Sequence, residues 1–494
     1  MKKLAKDTAI YGLSSIIGKF LNWCLVPLYT YVLPSSADYG IVTNLYAWTA
    51  LLLVILTYGM ETGFFRFANK SQEDPNKVYG TTLLSIGTTS LLFAVLCVIF
   101  SHPIANGMGY GNHPEFIAML AVIVAMDAFD AIPFAYLRYK NRPIKFAALK
   151  LFMIFMNILF NIFFLVLCPI IAKKAPSLID WFYNPSYGVG YIFVANLIST
   201  LSVTLALLPD IRTANFRFDS DLWKRMLQYS LPLLILGIAG ILDQTVDKII
   251  FPFLFEDKAY AASQLGIYGA CFKISMVMMM FTQAFRYAYE PFIFAQYKDK
   301  DSKEAYAEAM KYFVIFSLLI FLGMVFYLDL LKFLIRSDYW EGLRVVPIVL
   351  FSYLFQGVFF NLSLWYKLTD KTYYGAIISI IGSVVVLTIN ILFVPIFSYM
   401  ASAWASFACY FVMMLISYFL GQKYMPIKYD LKTMGIYSAI ALTLYGISLM
   451  IKTSSTGLNL VFNTILLIFF VLYLIKHDLP LENIPVVNRL FKKI

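Results

Sequence analysis

The sequence is poor in charge, cysteine and histidine. Only 14% of its 494 residues are Asp, Glu, Lys or Arg and 61% are hydrophobic, whereas soluble domains average about 25% charged and about 45–50% apolar residues. No soluble fold could bury so much apolar surface, which excludes a soluble globular protein. The five cysteines stand singly in apolar runs and the three histidines are scattered, so we expect neither a zinc site nor a disulfide framework.

The sequence also lacks the short motifs that mark common catalytic sites. It contains no G-x-S-x-G, no P-loop and no H-E-x-x-H, so we expect no hydrolase elbow, nucleotide site or zinc-protease helix. The gaps between the apolar runs are too short to hold a catalytic domain. We therefore expect a protein that is not an enzyme and that uses no cofactor, metal ion or nucleic acid.

Long apolar runs are what the chain has in abundance. A run of about 20 residues crosses a bilayer as a helix, and about fourteen such runs follow one another, the first over residues 8–33 and the last over residues 458–475. The runs do not alternate with period two, which excludes a β-barrel. The sequence therefore predicts an all-α polytopic membrane protein with about 14 transmembrane helices.

Lys and Arg concentrate in every second gap between these runs. The gaps on the same side as the N-terminus hold most of them, and the gaps on the other side hold few. Because basic loops are retained in the cytoplasm, we expect both termini to be cytoplasmic. The net charge of +11 then reflects membrane topology rather than nucleic-acid binding.

Two pairs of similar segments indicate an internal repeat. The sequence FRFA at residues 65–68 ends the second run, and FRYA at residues 285–288 ends the eighth. Similarly, LRYK at residues 137–140 follows the fourth run and LWYK at residues 364–367 the tenth. Both pairs are six spans apart, so the two halves keep the same orientation and are parallel repeats.

The repeat divides the chain into two six-helix lobes and a C-terminal pair of helices. We expect an N-terminal lobe over residues 1–210 with spans one to six. A C-terminal lobe with spans seven to twelve would cover residues 211–425. Residues 426–494 would form spans thirteen and fourteen and a cytoplasmic tail.

Lysines near the middle of the membrane are the most informative residues of the chain. A charge at this depth costs about 3 kcal/mol or more, so it faces a cavity or a partner. Lys19 lies in the first span and Lys273 in the eighth, one in each lobe. Either both ammonium groups face a central cavity, or they form internal ion pairs, for instance Lys19 with Asp127 or Asp130.

Other charged residues lie nearer the ends of the predicted spans. Arg66 and Arg286 occupy cytoplasmic ends, as substrate contacts or as membrane anchors, and Lys248 lies toward the outer face. Lys150 and Lys311 are expected to extend their ammonium groups to the interface. The acidic residues are candidates for binding a coupling ion or for internal pairing: Asp127, Asp130, Asp243, Asp247, Glu61 and Glu290.

Several stretches of the sequence resemble bacterial polysaccharide flippases of the Wzx type, in the multidrug/oligosaccharidyl-lipid/polysaccharide exporter superfamily. They are YGLSS at residues 11–15 with Lys19, PLYT at 27–30, DYG at 38–40, ETGFFRF at 61–67, Asp247-Lys248, and LGIY at 265–268 with Lys273. Length and span count agree as well. One departure is Tyr31, where relatives often carry Arg, so no phosphate role is assigned to that position.

The resemblance implies a MATE-like fold and a function in transport. The chain would move an undecaprenyl-pyrophosphate-linked oligosaccharide across the bacterial inner membrane by alternating access, for lipopolysaccharide O-antigen, capsule or exopolysaccharide synthesis. Spans thirteen and fourteen would border a groove for the lipid tail. The cations that would line the cavity and attract the substrate are Lys19, Lys273, Arg66, Arg286 and Lys248.

The resemblance also implies partners and leaves alternatives open. Expected partners are the lipid-linked oligosaccharide, membrane lipids, H⁺ or Na⁺ as coupling ion, and other assembly proteins such as a polymerase and a chain-length regulator. The alternatives are a lipid II flippase of the same superfamily and a cation-coupled multidrug exporter. A glycan polymerase or ligase is disfavoured because the outward gaps are short.

Overall fold

The computed structural model describes residues 2–70, 73–296, 302–451 and 453–479, without the side chains of residues 2–11, 70, 290–296 and 302. No strand occurs within these ranges. The first half of the chain forms α1 (Lys2–Trp23), α2 (Leu25–Val32), α3 (Ser36–Thr57), α4 (Met60–Lys70), α5 (Pro75–Ile99), α6 (Ser101–Met108), α7 (Pro114–Tyr139), α8 (Pro143–Ile162), α9 (Cys168–Lys174) and α10 (Gly190–Ile211).

The second half of the chain is followed by two more long helices. It forms α11 (Ser220–Ile250), α12 (Lys258–Gln296), α13 (Ser302–Phe326), α14 (Leu328–Leu331), α15 (Val346–Leu362), α16 (Leu364–Leu368), α17 (Tyr373–Phe397) and α18 (Tyr399–Tyr424), and the C-terminal pair is α19 (Leu431–Met450) and α20 (Thr456–His477). Below, the N-terminal side is the side of the membrane on which α1 begins.

Thirteen segments within the described ranges are long and apolar enough to cross a membrane. They coincide with thirteen of the fourteen predicted spans, so the chain is a multi-pass membrane protein. The remaining predicted span corresponds to α1 and α2. The difference has a simple cause: α1 carries Lys6, Asp7 and Lys19 within its length and is less apolar than these thirteen segments.

Breaks within the first two spans have local causes. The chain turns at Cys24, between α1 and α2, because the ring of Pro27 cannot accommodate the carbonyl group of Trp23 four residues earlier. The second span breaks between α3 and α4, where Tyr58 (φ 31°) and Gly59 (φ 72°) adopt left-handed conformations. The start of α4 lies close to α11 of the second half, since a Cβ atom at Gly59 would meet the carbonyl oxygen of Ser230.

The two halves meet through α3 and α12 on the side opposite the N-terminus. Cβ atoms added to Gly40 and Gly266 would collide with the backbone of Ala262 and Ser36, so the helices touch backbone to backbone. The hydroxyl groups of Ser36 and Ser263 are 2.7 Å apart. Small residues permit this close approach of membrane helices, and the two halves are in direct contact on this side.

On the N-terminal side, the start of α11 packs against helices of the first half. Asp219 caps α11 by accepting hydrogen bonds from the backbone N–H groups of Asp221 and Leu222, and Lys77 of α5 lies 2.5 Å from its carboxylate. The Leu222 N–H and the Lys77 ammonium lower the pKa of Asp219 to about 2. The carboxylate therefore stays ionised and holds α5 against α11.

The C-terminal pair, α19 and α20, packs on α13 of the second half. Lys311 of α13 forms an ion pair of 2.9 Å with Asp478, and Tyr437 of α19 donates a hydrogen bond to the same carboxylate at 2.7 Å. Asn463 of α20 donates to the backbone carbonyl of Phe326 at 3.0 Å. Lys311 was expected to reach the membrane interface, but the structure shows it paired with Asp478.

Candidate functional site

Lys19 lies where α1 of the first half meets α12 of the second half. Its ammonium group donates a hydrogen bond of 2.7 Å to the side-chain oxygen of Gln283, and the side chain is half-buried. None of the described carboxylates lies within ion-pair distance of it. Lys19 therefore does not pair with Asp127 or Asp130, which was one of the two alternatives. Its hydrogen-bond partner is the neutral amide of Gln283.

Lys273 lies further along α12, toward the opposite side of the membrane. Trp23 of α1 donates a hydrogen bond of 2.7 Å from its indole N–H to the backbone carbonyl of Lys273. The ammonium group of Lys273 forms no hydrogen bond or ion pair with any described residue, yet it lies within electrostatic range of Lys19 and Lys248. Lys19 and Lys273 are therefore neighbours across the contact between α1 and α12.

Arg286 extends this row of charges along α12 toward the N-terminal side. It is exposed, lies within electrostatic range of Lys19, and has its guanidinium group 5.3 Å from the centre of the Phe360 ring. Lys273 and Arg286 are about 20 Å apart along the helix axis, at about 1.5 Å per residue. We call Lys19, Lys273 and Arg286 the cationic seam.

Arg66 occupies the corresponding helix end in the first half. It is exposed at the end of α4, and its guanidinium group lies 4.1 Å from the centre of the Tyr229 ring of α11. It forms no ion pair with a described residue. Arg66 and Arg286 thus end the second and eighth spans in similar settings, each beside an aromatic ring.

Lys248 differs from the other candidate cations because its charge is already neutralised. Its ammonium group lies 2.9 Å from the carboxylate of Asp247 and 3.9 Å from the centre of the Phe272 ring. Tyr268 donates a further hydrogen bond of 2.8 Å to Asp247. This buried pair adds no net charge to the site.

The carboxylates of α7 form a separate cluster inside the first half. Thr204 donates a hydrogen bond of 2.7 Å to Asp130, and Thr200 donates one of 3.4 Å to Asp127. Both carboxylates lie within electrostatic range of Lys150. Lys150 was expected to extend to the membrane interface. In the structure its ammonium group lies 4.0 Å from the centre of the Phe134 ring, near these carboxylates.

The remaining acidic candidates lie at three different places. Asp243 is buried and accepts a hydrogen bond of 2.7 Å from Ser383 of α17. Glu61 forms an ion pair with Arg138 at the end of α7. The side chain of Glu290 lies outside the described residues. The structure therefore does not bring the predicted acidic residues together into one site.

Gln283 and Trp23 lie beside the cationic seam, and the sequence analysis did not predict them as site residues. Each is a polar group that joins α1 to α12 at the level of a lysine. A glutamine or tryptophan in an apolar run is ordinary, so the run alone carries no signal. The available signal was their position on the same helices as the lysines: Trp23 follows Lys19 on α1, and Gln283 follows Lys273 on α12.

Comparison with known proteins identifies the family of the chain. A family model described as "Polysaccharide biosynthesis protein" matches residues 4–293, and one described as "MatE" matches residues 258–392. None of the curated protein sequences matches the chain.

Solved structures of membrane transporters are similar to the chain over most of its length. "Lipid II flippase MurJ, inward closed conformation" has a TM-score of 0.73 and 14% identity, covering 95% of this chain and 98% of that chain. An inward-facing multidrug resistance MATE family transporter of the MOP superfamily has a TM-score of 0.64 and 13% identity, with coverage of 83% and 98%. The MATE multidrug transporter DinF-BH has a TM-score of 0.59 and 17% identity, with coverage of 85% and 95%. These likenesses confirm the predicted MATE-like fold.

Proposed function

Because the chain belongs to the polysaccharide biosynthesis protein family, we propose that it is a flippase for undecaprenyl-pyrophosphate-linked oligosaccharide repeat units in the bacterial inner membrane. The product would be used for a surface polysaccharide, such as O-antigen, capsule or exopolysaccharide. The observation that carries the proposal is the cationic seam: Lys19 and Lys273 lie within membrane helices without an acidic partner among the described residues.

An unpaired ammonium group inside a membrane protein is costly unless it has a role. A pyrophosphate or an acidic sugar entering between the halves would supply the missing negative charge. Lysine suits this ligand because it binds phosphate as a point charge. Arg66 and Arg286, exposed on the N-terminal side, would then be the first cations that the headgroup meets on entering from the cytoplasm.

The closed contact between α3 and α12 is consistent with one state of alternating access. We assign the N-terminal side to the cytoplasm, as the distribution of Lys and Arg predicts. The two lobes, residues 1–210 and 211–425, would rock about the seam, and the contact at Gly40 and Gly266 would open to release the headgroup outward. The carboxylates of Asp127, Asp130 and Asp243 are the candidates for binding H⁺ or Na⁺ during this cycle.

The C-terminal pair of helices favours a lipid-linked substrate over a soluble drug. The likeness to the MurJ structure covers 95% of this chain and therefore includes residues beyond 425. The likeness to the two MATE structures covers only 83% and 85% of this chain. We propose that α19 and α20 provide a surface for the polyprenyl tail. A lipid II flippase, which shares this architecture, is the second candidate function.

The test is a genetic complementation with three readouts. In a host that lacks the gene, the wild-type chain should restore surface polysaccharide detected by immunoblot, whereas the double variant Lys19→Met/Lys273→Met at equal membrane abundance should not. Rescue of a strain depleted of its lipid II flippase would favour the second candidate. Altered susceptibility to a drug panel with no change in glycan would favour multidrug export and contradict the proposal.

A further inference from the structure

A large apolar pocket lies between α3, α5 and α7 of the first half, and none of the seam residues lines it. Its volume is about 410 Å³. The walls are formed by side chains such as Leu45 and Leu52 of α3, Phe93 of α5, and Leu120 and Val124 of α7. These positions run from the end of the spans on the side opposite the N-terminus toward the middle of the membrane.

Two further elements close the pocket on the side opposite the N-terminus. The short helix α6 contributes Pro103 and Met108 and covers the end toward the membrane surface. Phe253, which follows α11 in the second half, forms part of another wall. The pocket therefore combines three spans of the first half with one aromatic side chain of the second half.

The pocket is suited neither to water nor to a polar ligand. A buried water needs two to four polar partners. The hydroxyl group of Thr49 already donates to the carbonyl of Leu45 at 2.9 Å. The indole N–H of Trp48 is buried and has no hydrogen-bond partner, so it offers one free donor, which is fewer polar partners than a buried water needs. The other lining residues are apolar or, like Cys97, only weakly polar.

The surface around the pocket faces hydrocarbon. On α5, the side chains next to Phe93 and Cys97 are highly exposed, including Leu92 (58%) and Ile99 (65%). In a helix that crosses the membrane, such a face borders lipid. The pocket therefore lies next to the hydrocarbon of the bilayer. A molecule that occupies it would enter from the leaflet on this side.

We propose that the pocket is a binding site for one acyl chain of a membrane phospholipid. If each methylene occupies about the 30 Å³ of a water molecule, the pocket holds roughly fourteen of them, which is the length of one acyl chain. An undecaprenyl chain is several times larger and would fit only in part. This inference does not rest on the proposed function, because a phospholipid chain would occupy the pocket whichever substrate is moved.

The bound chain would also help to hold the two halves together. Phe253 contacts the pocket from the second half, and nearby Asn44 of α3 donates a hydrogen bond of 2.7 Å to the backbone carbonyl of Lys248. Opening the protein on this side would separate Phe253 from α3 and remove one wall. The phospholipid therefore acts as a conformation-selective ligand of the closed state.

Photo-crosslinking of the full chain in lipid nanodiscs tests the site. The probe is a phosphatidylethanolamine with a photoreactive group along one acyl chain, and cross-linked residues are located by mass spectrometry. We expect labelling of Leu120 and Val124, which line the pocket and are only 6% and 1% exposed. Leu92 faces the surrounding lipid and serves as an internal control in every sample.

Two variants that fill the pocket are compared with a matched glycine variant elsewhere. Gly107 of α6 lines the pocket, and a Cβ atom there would meet no atom within 4 Å, so Gly107→Leu adds a side chain at the pocket wall without a clash. Gly446 of α19 is equally unobstructed, and Gly446→Leu is the control. Gly107→Leu, and independently Ala121→Leu, should reduce labelling of Leu120 several-fold, whereas Gly446→Leu should not.

Three results would overturn the proposal. The first is that Leu92 of the wild type is labelled but Leu120 and Val124 are not. Another is equal labelling of Leu120 in the wild type and both filled variants. The third is complete competition by undecaprenyl phosphate but not by added phospholipid, which would assign the pocket to the substrate tail instead.

Discussion

Replacing Lys273 with methionine should remove a binding charge without disturbing the fold. The ammonium group has no described partner, so Lys273→Met breaks no hydrogen bond or ion pair, and methionine keeps much of the side-chain length. A hydrogen bond to a charged group contributes about 1.5–3 kcal/mol. Since each 1.4 kcal/mol is a factor of ten, we expect binding of a pyrophosphate headgroup to weaken about 10- to 150-fold.

The measurement is the affinity of the purified protein in nanodiscs for undecaprenyl pyrophosphate at several salt concentrations. Lys273→Arg should retain most of the affinity, and Lys174→Met, which removes an exposed lysine at the end of α9, should bind like the wild type. The slope of affinity against salt should also decrease for Lys273→Met, because one cation is lost. If Lys273→Met folds normally and binds with unchanged affinity and salt dependence, the role assigned to the seam is wrong.

Three further predictions follow from contacts between the helices. The double variant Ser36→Cys/Ser263→Cys should form a disulfide under oxidation and block transport, with activity restored by a reducing agent; transport by the oxidised protein would contradict the alternating-access scheme. Gly40→Ala should destabilise the closed state by about 1–3 kcal/mol, measured as faster maleimide labelling of a cysteine at Ser36; unchanged labelling would refute the backbone contact. Asp478→Asn leaves Lys311 without its ionic partner and should lower stability by about 1–3 kcal/mol, seen as a reduced Tm in detergent; an unchanged Tm would mean that the pair contributes nothing.

The positions of the helices could be predicted from the sequence because each span is encoded locally. A run of apolar residues of sufficient length determines a membrane helix almost regardless of its neighbours. Counting residues along those helices also predicts the depth of Lys19 and Lys273 in the membrane. The repeated FRFA and FRYA segments predicted corresponding places for Arg66 and Arg286. Both side chains are exposed beside an aromatic ring, although α12 continues beyond Arg286 to Gln296.

The partners of the buried ions could not be predicted in the same way. Whether Lys19 meets Gln283 or Asp127 depends on how helices distant in sequence are rotated and packed, and periodicity within one helix does not contain that information. Lys150 illustrates the point, since its position near a helix end suggested the interface and its actual environment is the Asp127–Asp130 cluster. The pocket under α6 is likewise lined by three separate helices and by Phe253, and no single segment indicates it.

The attachment of α19 and α20 to α13 has a mechanical consequence. If the two lobes rotate against each other, the ion pair between Lys311 and Asp478 makes these two helices travel with the second lobe as one rigid body. A pair of helices swept through the bilayer displaces the lipids in its path, so membrane viscosity acts as a load on each turnover. Cells that stiffen their membranes would then slow this protein more than a transporter without the additional pair.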